Sequence, residues 1–191
     1  MNIAEKNQPD MPDIYQIKVT LDEIRPPIWR RILVASDTTL SKLHRILQVV
    51  MGWDDYHLHQ FIINGTYYGS PDPDMMLDLK DERRMRLDKI VLKEQKKFIY
   101  EYDFGDSWYH NILIEKILPP GTKKDYPVCI KGKRACPPED CGGVSGYYYF
   151  LEAIQDPDHP EHEEMLEWVG DYFDPEAFDI DEVNRILKKT R

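Results

Sequence analysis

Ile14, Gln16 and Lys18 alternate with Tyr15, Ile17, Val19 and Leu21, a period of two that predicts a β-strand. Arg25-Pro26-Pro27 interrupts the pattern, because proline brings no N–H to a strand ladder, and Ile28 to Val34 resumes it. The two segments are expected to pair through the prolines. Ser36-Asp37-Thr38-Thr39 offers side-chain oxygens that can cap free backbone N–H groups. After it Leu40, Leu43, Leu47 and Val50 recur at helical spacing, with Ile46 beside them, and Gly52 can close the helix.

His57 to Ile63 reads as a strand, turned by Asn64-Gly65 into a hairpin with Thr66-Tyr67-Tyr68. Gly69 to Asp74 reads as loop, residues 75–86 as an irregular excursion and Leu87 to Leu92 as a short helix. Lys97 to Phe104 alternates again, with Phe98, Tyr100, Tyr102 and Phe104 on one side. Gly105-Asp106 turns the chain into a long strand from Trp108 to Leu118. Residues 119–146, rich in Pro, Gly and Cys, read as one long loop, a kind of segment that is usually functional, metal-stapled or disordered. Helices are expected over Tyr147–Ile154, Glu161–Val169 and Ile180–Lys188, the last opened by Asp179 with Glu182 three residues on. Hairpins without a βαβα rhythm make this an α+β chain. It has a mainly antiparallel sheet, one helix after the first two strands and a helical C-terminal cap.

At 191 residues the chain is long enough for one packed domain, expected over residues 13–191 behind a flexible tail at 1–12. The net charge of −10 is local. Residues 152–182 hold 13 acids and no Lys or Arg, inside an acidic helical part at 147–191. That surface repels phosphate, which disfavours nucleic acid as a partner and leaves a protein, a peptide or a small ligand. The start of the chain lacks the layout of a secretory signal, no apolar run is long enough for a membrane span, and three cysteines, an odd number in one short stretch, do not read as a secreted disulfide framework. Together these point to the cytoplasm.

Four groups could carry chemistry. Cys129, Cys136 and Cys141 surround Cys136-Pro-Pro-Glu-Asp-Cys141-Gly-Gly. Zinc takes four soft or borderline ligands, so these three with His59 are a candidate site. His57 and His59, two apart on a strand, would share a face and could chelate a metal together with His110 and Asp103 or Asp106. Asp103 to Ser107 is a turn between aromatic strands. Its Asp-Phe-Gly does not mark a kinase, since the glycine-rich loop and the His-Arg-Asp catalytic loop are missing. Arg30 and Arg31 flank an aromatic stretch and could pair with those aspartates. No Gly-x-Ser-x-Gly elbow, Gly-x4-Gly-Lys-Ser/Thr loop or dinucleotide fingerprint is present, so the standard hydrolase, NTPase and dehydrogenase designs find no support.

An ordered set of short motifs resembles the plasmid pRiA ORF-three-like family. The set is Arg25-Pro-Pro-Ile-Trp-Arg-Arg, Leu43-His44, Gly52-Trp53, Tyr56-His-Leu-His-Gln-Phe61, Tyr68-Gly69, Tyr100-Glu-Tyr-Asp-Phe-Gly-Asp-Ser-Trp108 with His110, Cys136-Pro-Pro-Glu-Asp-Cys-Gly-Gly143 and Gly146-Tyr147. The resemblance implies a roll-like α+β domain and association with mobile elements. A resolvase-like activity does not carry over, because no serine stands among arginines and no basic DNA-binding segment is present. The expected function is a non-catalytic binding or accessory module. Arg30, Arg31, His57, His59, Asp103, Asp106, Trp108, His110, Glu139 and Asp140 would frame its polar cleft. The alternative is a metal-dependent hydrolase or nuclease using the histidines and aspartates.

Overall fold

A computed structural model describes residues 11–71, 78–91, 96–120 and 126–190. The expected tail at 1–12 lies outside these except for Met11 and Pro12. The chain folds as α+β around one eight-stranded, mostly antiparallel sheet.

β1 (Ile14–Leu21) and β2 (Trp29–Ala35) pair antiparallel with Lys18 opposite Arg31, across a turn that contains a cis Arg25–Pro26 bond. Ile17, Val19, Leu21 and Ile32 are fully buried, as the alternation requires. Helix α1 (Leu40–Met51) starts where the Thr39 side chain accepts from the Lys42 N–H and stops at Gly52, with φ +89°. Its apolar stripe of Leu40, Leu43, Leu47 and Val50 packs on the buried side of the sheet. Next come β3 (His59–Ile63) and β4 (Thr66–Gly69), turned at Asn64-Gly65, where both residues have positive φ as this tight hairpin requires. β5 (Lys80–Asp81) pairs parallel with β4, and α2 (Leu87–Val91) follows a single 3₁₀ turn at Glu82–Arg84. β6 (Lys97–Tyr102) and β7 (Trp108–Leu118) form the aromatic hairpin. β8 (Val128–Lys133) then leads to α3 (Gly143–Gln155), α4 (His162–Val169) and α5 (Ile180–Leu187). The strand order is β5-β4-β3-β6-β7-β1-β2-β8.

Two strands escaped the sequence pattern. β8 lies inside the stretch expected to be loop. Its apolar triplet Val128-Cys129-Ile130 is too short to show a period, yet it pairs with β2 through a bulge at Arg31/Ile32. The β8 edge is closed by Asn184 of α5, whose side-chain amide accepts from the Cys129 N–H and donates to its carbonyl, both at 2.8 Å. That amide takes the place of a ninth strand and blocks edge pairing. β5 has only two residues and falls in the expected excursion.

Arg30 ties these parts together. It is 2% exposed, with no carboxylate within ion-pair distance among the described residues. Its Nε donates to the Val50 carbonyl at the end of α1 (2.7 Å), and Nη1 donates to the Trp29 and Lys133 carbonyls (3.0 Å each). Nη2 reaches Cys136 Sγ at 3.3 Å, and the guanidinium lies 4.1 Å from the centre of the Phe178 ring. The helix C-terminus supplies the partial negative charge that offsets the cation. Arg30→Ala is therefore expected to lose about 3 kcal/mol or more in urea unfolding, because it strips donors from buried carbonyls. A loss of only about 0.5 kcal/mol would contradict that role.

Candidate functional site

The site is built on the turn between β6 and β7. Asp103 is in the left-handed region (φ +58°), which Asp tolerates better than most side chains. Its N–H donates to the Leu58 carbonyl at 2.8 Å, and its Oδ1 accepts from the N–H groups of Gly105 (2.9 Å) and Asp106 (3.3 Å). Asp106 Oδ2 in turn accepts from the Gly142 N–H at 3.0 Å, just ahead of α3. The approach is close enough to demand glycine. A Cβ on Gly143 would stand 2.6 Å from the Asp106 carbonyl oxygen, and one on Gly146 would stand 1.9 Å from that of Cys141.

A second set of bonds brings the segment after α1 to the same place. Trp53 Nε1 donates to the Pro137 carbonyl (3.0 Å), and the Asp54 N–H to Glu139 Oε2 (3.0 Å). The Tyr102 hydroxyl donates to Glu139 Oε1 while accepting from the N–H groups of Tyr56 (3.1 Å) and His57 (3.3 Å). Burial and the Glu139 carboxylate both hold that hydroxyl in its protonated form, pushing its pKa up. The His57 ring is left between two carboxylates. Nδ1 is 3.7 Å from Asp103 Oδ2, and Nε2 is 3.3 Å from Asp140 Oδ1. Nε2 is buried and makes no hydrogen bond of normal geometry.

Asp140 also forms one wall of a pocket of about 280 Å³ between α3 and α4. The other walls are Cys141, Gly146, Tyr149, Phe150, Glu164, Met165 and Trp168. Burial, reinforced by Asp106 and Asp140, pushes the Cys141 thiol up to about 12, which favours its protonated form at neutral pH.

His57, Asp103, Asp106, Glu139 and Asp140 lie close to one another, and the other candidates lie elsewhere. Arg30 is the structural cation described above. Arg31 forms a two-pronged pair with Glu115 (2.6 and 2.8 Å), which holds that carboxyl down to about 2, so neither arginine reaches Asp103 or Asp106. Trp108 is core. His110 is fully buried, and burial lowers its pKa to about 4. Nδ1 of His110 lies 3.0 Å from the Trp108 carbonyl. His57 precedes β3 instead of lying on it, so it shares no strand face with His59. His59 Nε2 meets Glu82 at 2.9 Å, and its ring stacks on His44, with centroids 3.4 Å apart and planes within 4°.

His44, missed as a functional candidate, is a polar residue on the buried stripe of α1. That misfit, with its place in the Leu43-His44 motif, was its signal. Its Nδ1 is 2.8 Å from the Tyr100 hydroxyl, and its Nε2 is 2.8 Å from Asp55 Oδ1. Gln48 donates to the same hydroxyl (3.0 Å), so the tyrosine proton goes to Nδ1 and the imidazole proton sits on Nε2.

Two sets of described residues bring three ligand atoms within 4.8 Å of one another: His44, Asp55 and His59, and His57, Asp103 and Asp140. Neither includes a cysteine, so Cys129, Cys136, Cys141 and His59 do not form the expected zinc site. Cys136 faces Arg30 and Cys129 faces the Lys131 carbonyl. In the first set the parallel rings point their lone pairs in parallel planes, so one ion can lie in the plane of only one ring. In the second, the two carboxylates face different nitrogens of one imidazole.

The family model for plasmid pRiA4b ORF-3-like proteins matches residues 13–182. The chain belongs to that family. A relative in Sinorhizobium fredii, the uncharacterized protein y4hQ, is 40% identical over 177 residues, covering 91% of this chain and 90% of the relative. The crystal structure of MM3350 from Methanosarcina mazei, a protein of unknown function, is similar at TM-score 0.83 and 40% identity, over 90% of this chain and 98% of that one. No helix among the described residues is long and apolar enough to cross a membrane.

Burial, together with the neighbouring His59 and Arg45, lowers the His44 pKa from its ordinary value to about 3, against the pull of Glu82. A base that stays neutral when folded but takes a proton when unfolded costs stability as pH falls. Stability should therefore decline as pH drops below about 6.5 towards about 3, and His44→Gln should flatten this slope. Urea midpoints from pH 7 to 4 test this. A flat wild-type profile would contradict it.

Proposed function

We propose that this protein is a non-catalytic binding module whose ligand seats at the His57–Asp140 edge and in the adjoining pocket between α3 and α4. The observation that carries this reading is the imidazole Nε2 of His57. It is buried 3.3 Å from Asp140 and makes no hydrogen bond, and Asp140 in turn lines a pocket of about 280 Å³. A buried polar atom without a partner is uncommon in native proteins and suits a site that a ligand completes. The pocket lies just below the usual size range for ligand sites. The thiol that lines it is held protonated, and the imidazole faces carboxylates instead of a hydroxyl or thiol it could activate. A metal-dependent hydrolase or nuclease would need His57, His59, Asp103 or Asp106 and His110 around one point, and these residues fall in three separate places. The plasmid in the family's name supports an accessory role carried on mobile elements.

A small-fragment screen by ligand-observed NMR tests the reading. Hits are expected to compete for one site and to weaken by about tenfold in Asp140→Asn, with the melting temperature unchanged. His57→Gln should weaken them similarly. Fragments indifferent to both changes would contradict the assignment. His57-dependent turnover of bis(4-nitrophenyl) phosphate would favour the hydrolase.

A further inference from the structure

The pocket beside Asp140 combines two properties, aromatic walls and an acidic rim. Tyr149 and Trp168 keep 43% and 47% of their surface exposed, so their rings are open to a ligand. Phe150 meets Trp168 edge-on at 5.7 Å, with the planes at 76°, so two ring systems present differently oriented surfaces to the same space. Met165 lines the same pocket.

Asp140 and Glu164 supply the charge. Asp140 has His57 as its ion-pair partner, and Glu164 has none among the described residues. The Tyr149 hydroxyl bonds Glu161, a further acid at the rim, with Glu152 also near it. Residues 152–182 contain no Lys or Arg that could neutralise this field. An anion would be repelled here, and a neutral apolar group would leave the carboxylates unused. A compact cation with an apolar surface satisfies both the ring faces and the acids.

Resting on the binding reading above, we propose that the α3–α4 pocket recognises an alkylammonium head group, with Tyr149, Phe150 and Trp168 against its carbon surface and Asp140 and Glu164 compensating its charge. The same chemistry occurs on a free small molecule and on a lysine side chain.

Three probes of nearly equal shape separate charge from size: choline, its neutral isostere 3,3-dimethylbutan-1-ol, and the anion 3,3-dimethylbutanoate. Each is titrated into the full ¹⁵N-labelled chain at low salt. Choline is expected to shift Tyr149, the Trp168 indole and Asp140 saturably, about tenfold more tightly than the alcohol, while the anion leaves them still. Glu164→Gln, an exposed change, should weaken choline about threefold or more, and Trp168→Leu should abolish it. Asn also tolerates the left-handed backbone of Asp140 (φ +59°), so Asp140→Asn reads charge without refolding the turn. Nα-acetyl-lysine methylamide, run alongside, tells a lysine side chain from a free head group by which binds more tightly. Equal binding of the alcohol or the anion at the same residues would overturn the cation assignment and leave the binding reading standing. No shift at these residues from any probe would overturn both.

Discussion

The site depends on one turn. Between β6 and β7 the chain must reverse within five residues, and it does so with both Asp103 and Ser107 in the left-handed region, at φ +58° and +56°. For residues with a Cβ this conformation costs about 1 kcal/mol each or more. Two aspartates offset the cost. The Asp103 carboxylate takes the free N–H groups of the turn, and the Asp106 carboxylate takes the N–H of Gly142 ahead of α3. The same short stretch therefore fixes the sheet, the start of a helix and one side of the His57 ring. The glycines at 143 and 146 let the backbones come close enough for this to happen.

Arg30 works differently from the exposed ion pairs. Arg31 and Glu115 lie on a partly open face and add little net stability, as such pairs usually do. Arg30 is buried against carbonyls contributed by α1, β2 and the end of β8, so its removal would leave acceptors stranded. Its contribution lies in specifying which elements meet. The histidine stack of His44 and His59 is a third arrangement, with Asp55 beside one ring and Glu82 beside the other, and it is sensitive to acid because burial opposes charging of His44.

Much of the fold was legible because strong local signals agreed with the final packing. The stripe Leu40, Leu43, Leu47, Val50 with Thr39 before it and Gly52 after it specifies α1. Asn64-Gly65 specifies the β3–β4 hairpin, and the alternation of Phe98, Tyr100 and Tyr102 sets the buried face of β6. β8 was not legible, since a three-residue apolar run gains strand character only from β2 beside it and Asn184 across its edge. Of the site, the cluster of His57, Asp103, Asp106, Glu139 and Asp140 could be guessed from polar residues crowded near turns. The pocket could not, because Tyr149, Met165 and Trp168 look like ordinary helix residues until α3 and α4 are placed side by side. The error over His59 has a simple cause: strand β3 begins two residues later than its pattern suggests, and that displacement sends His57 and His59 to different neighbours.

The central claim is that the Asp103–Ser107 turn positions the site through Asp106. Amide hydrogen exchange on Asp106→Ala tests it most directly. The account predicts faster exchange at Gly142 and Gly146, together with changed His57 and Asp140 resonances, while Ile17, Val19 and Ile112 in the sheet keep their protection. Unchanged exchange at Gly142, or protection lost evenly across the sheet, would contradict it.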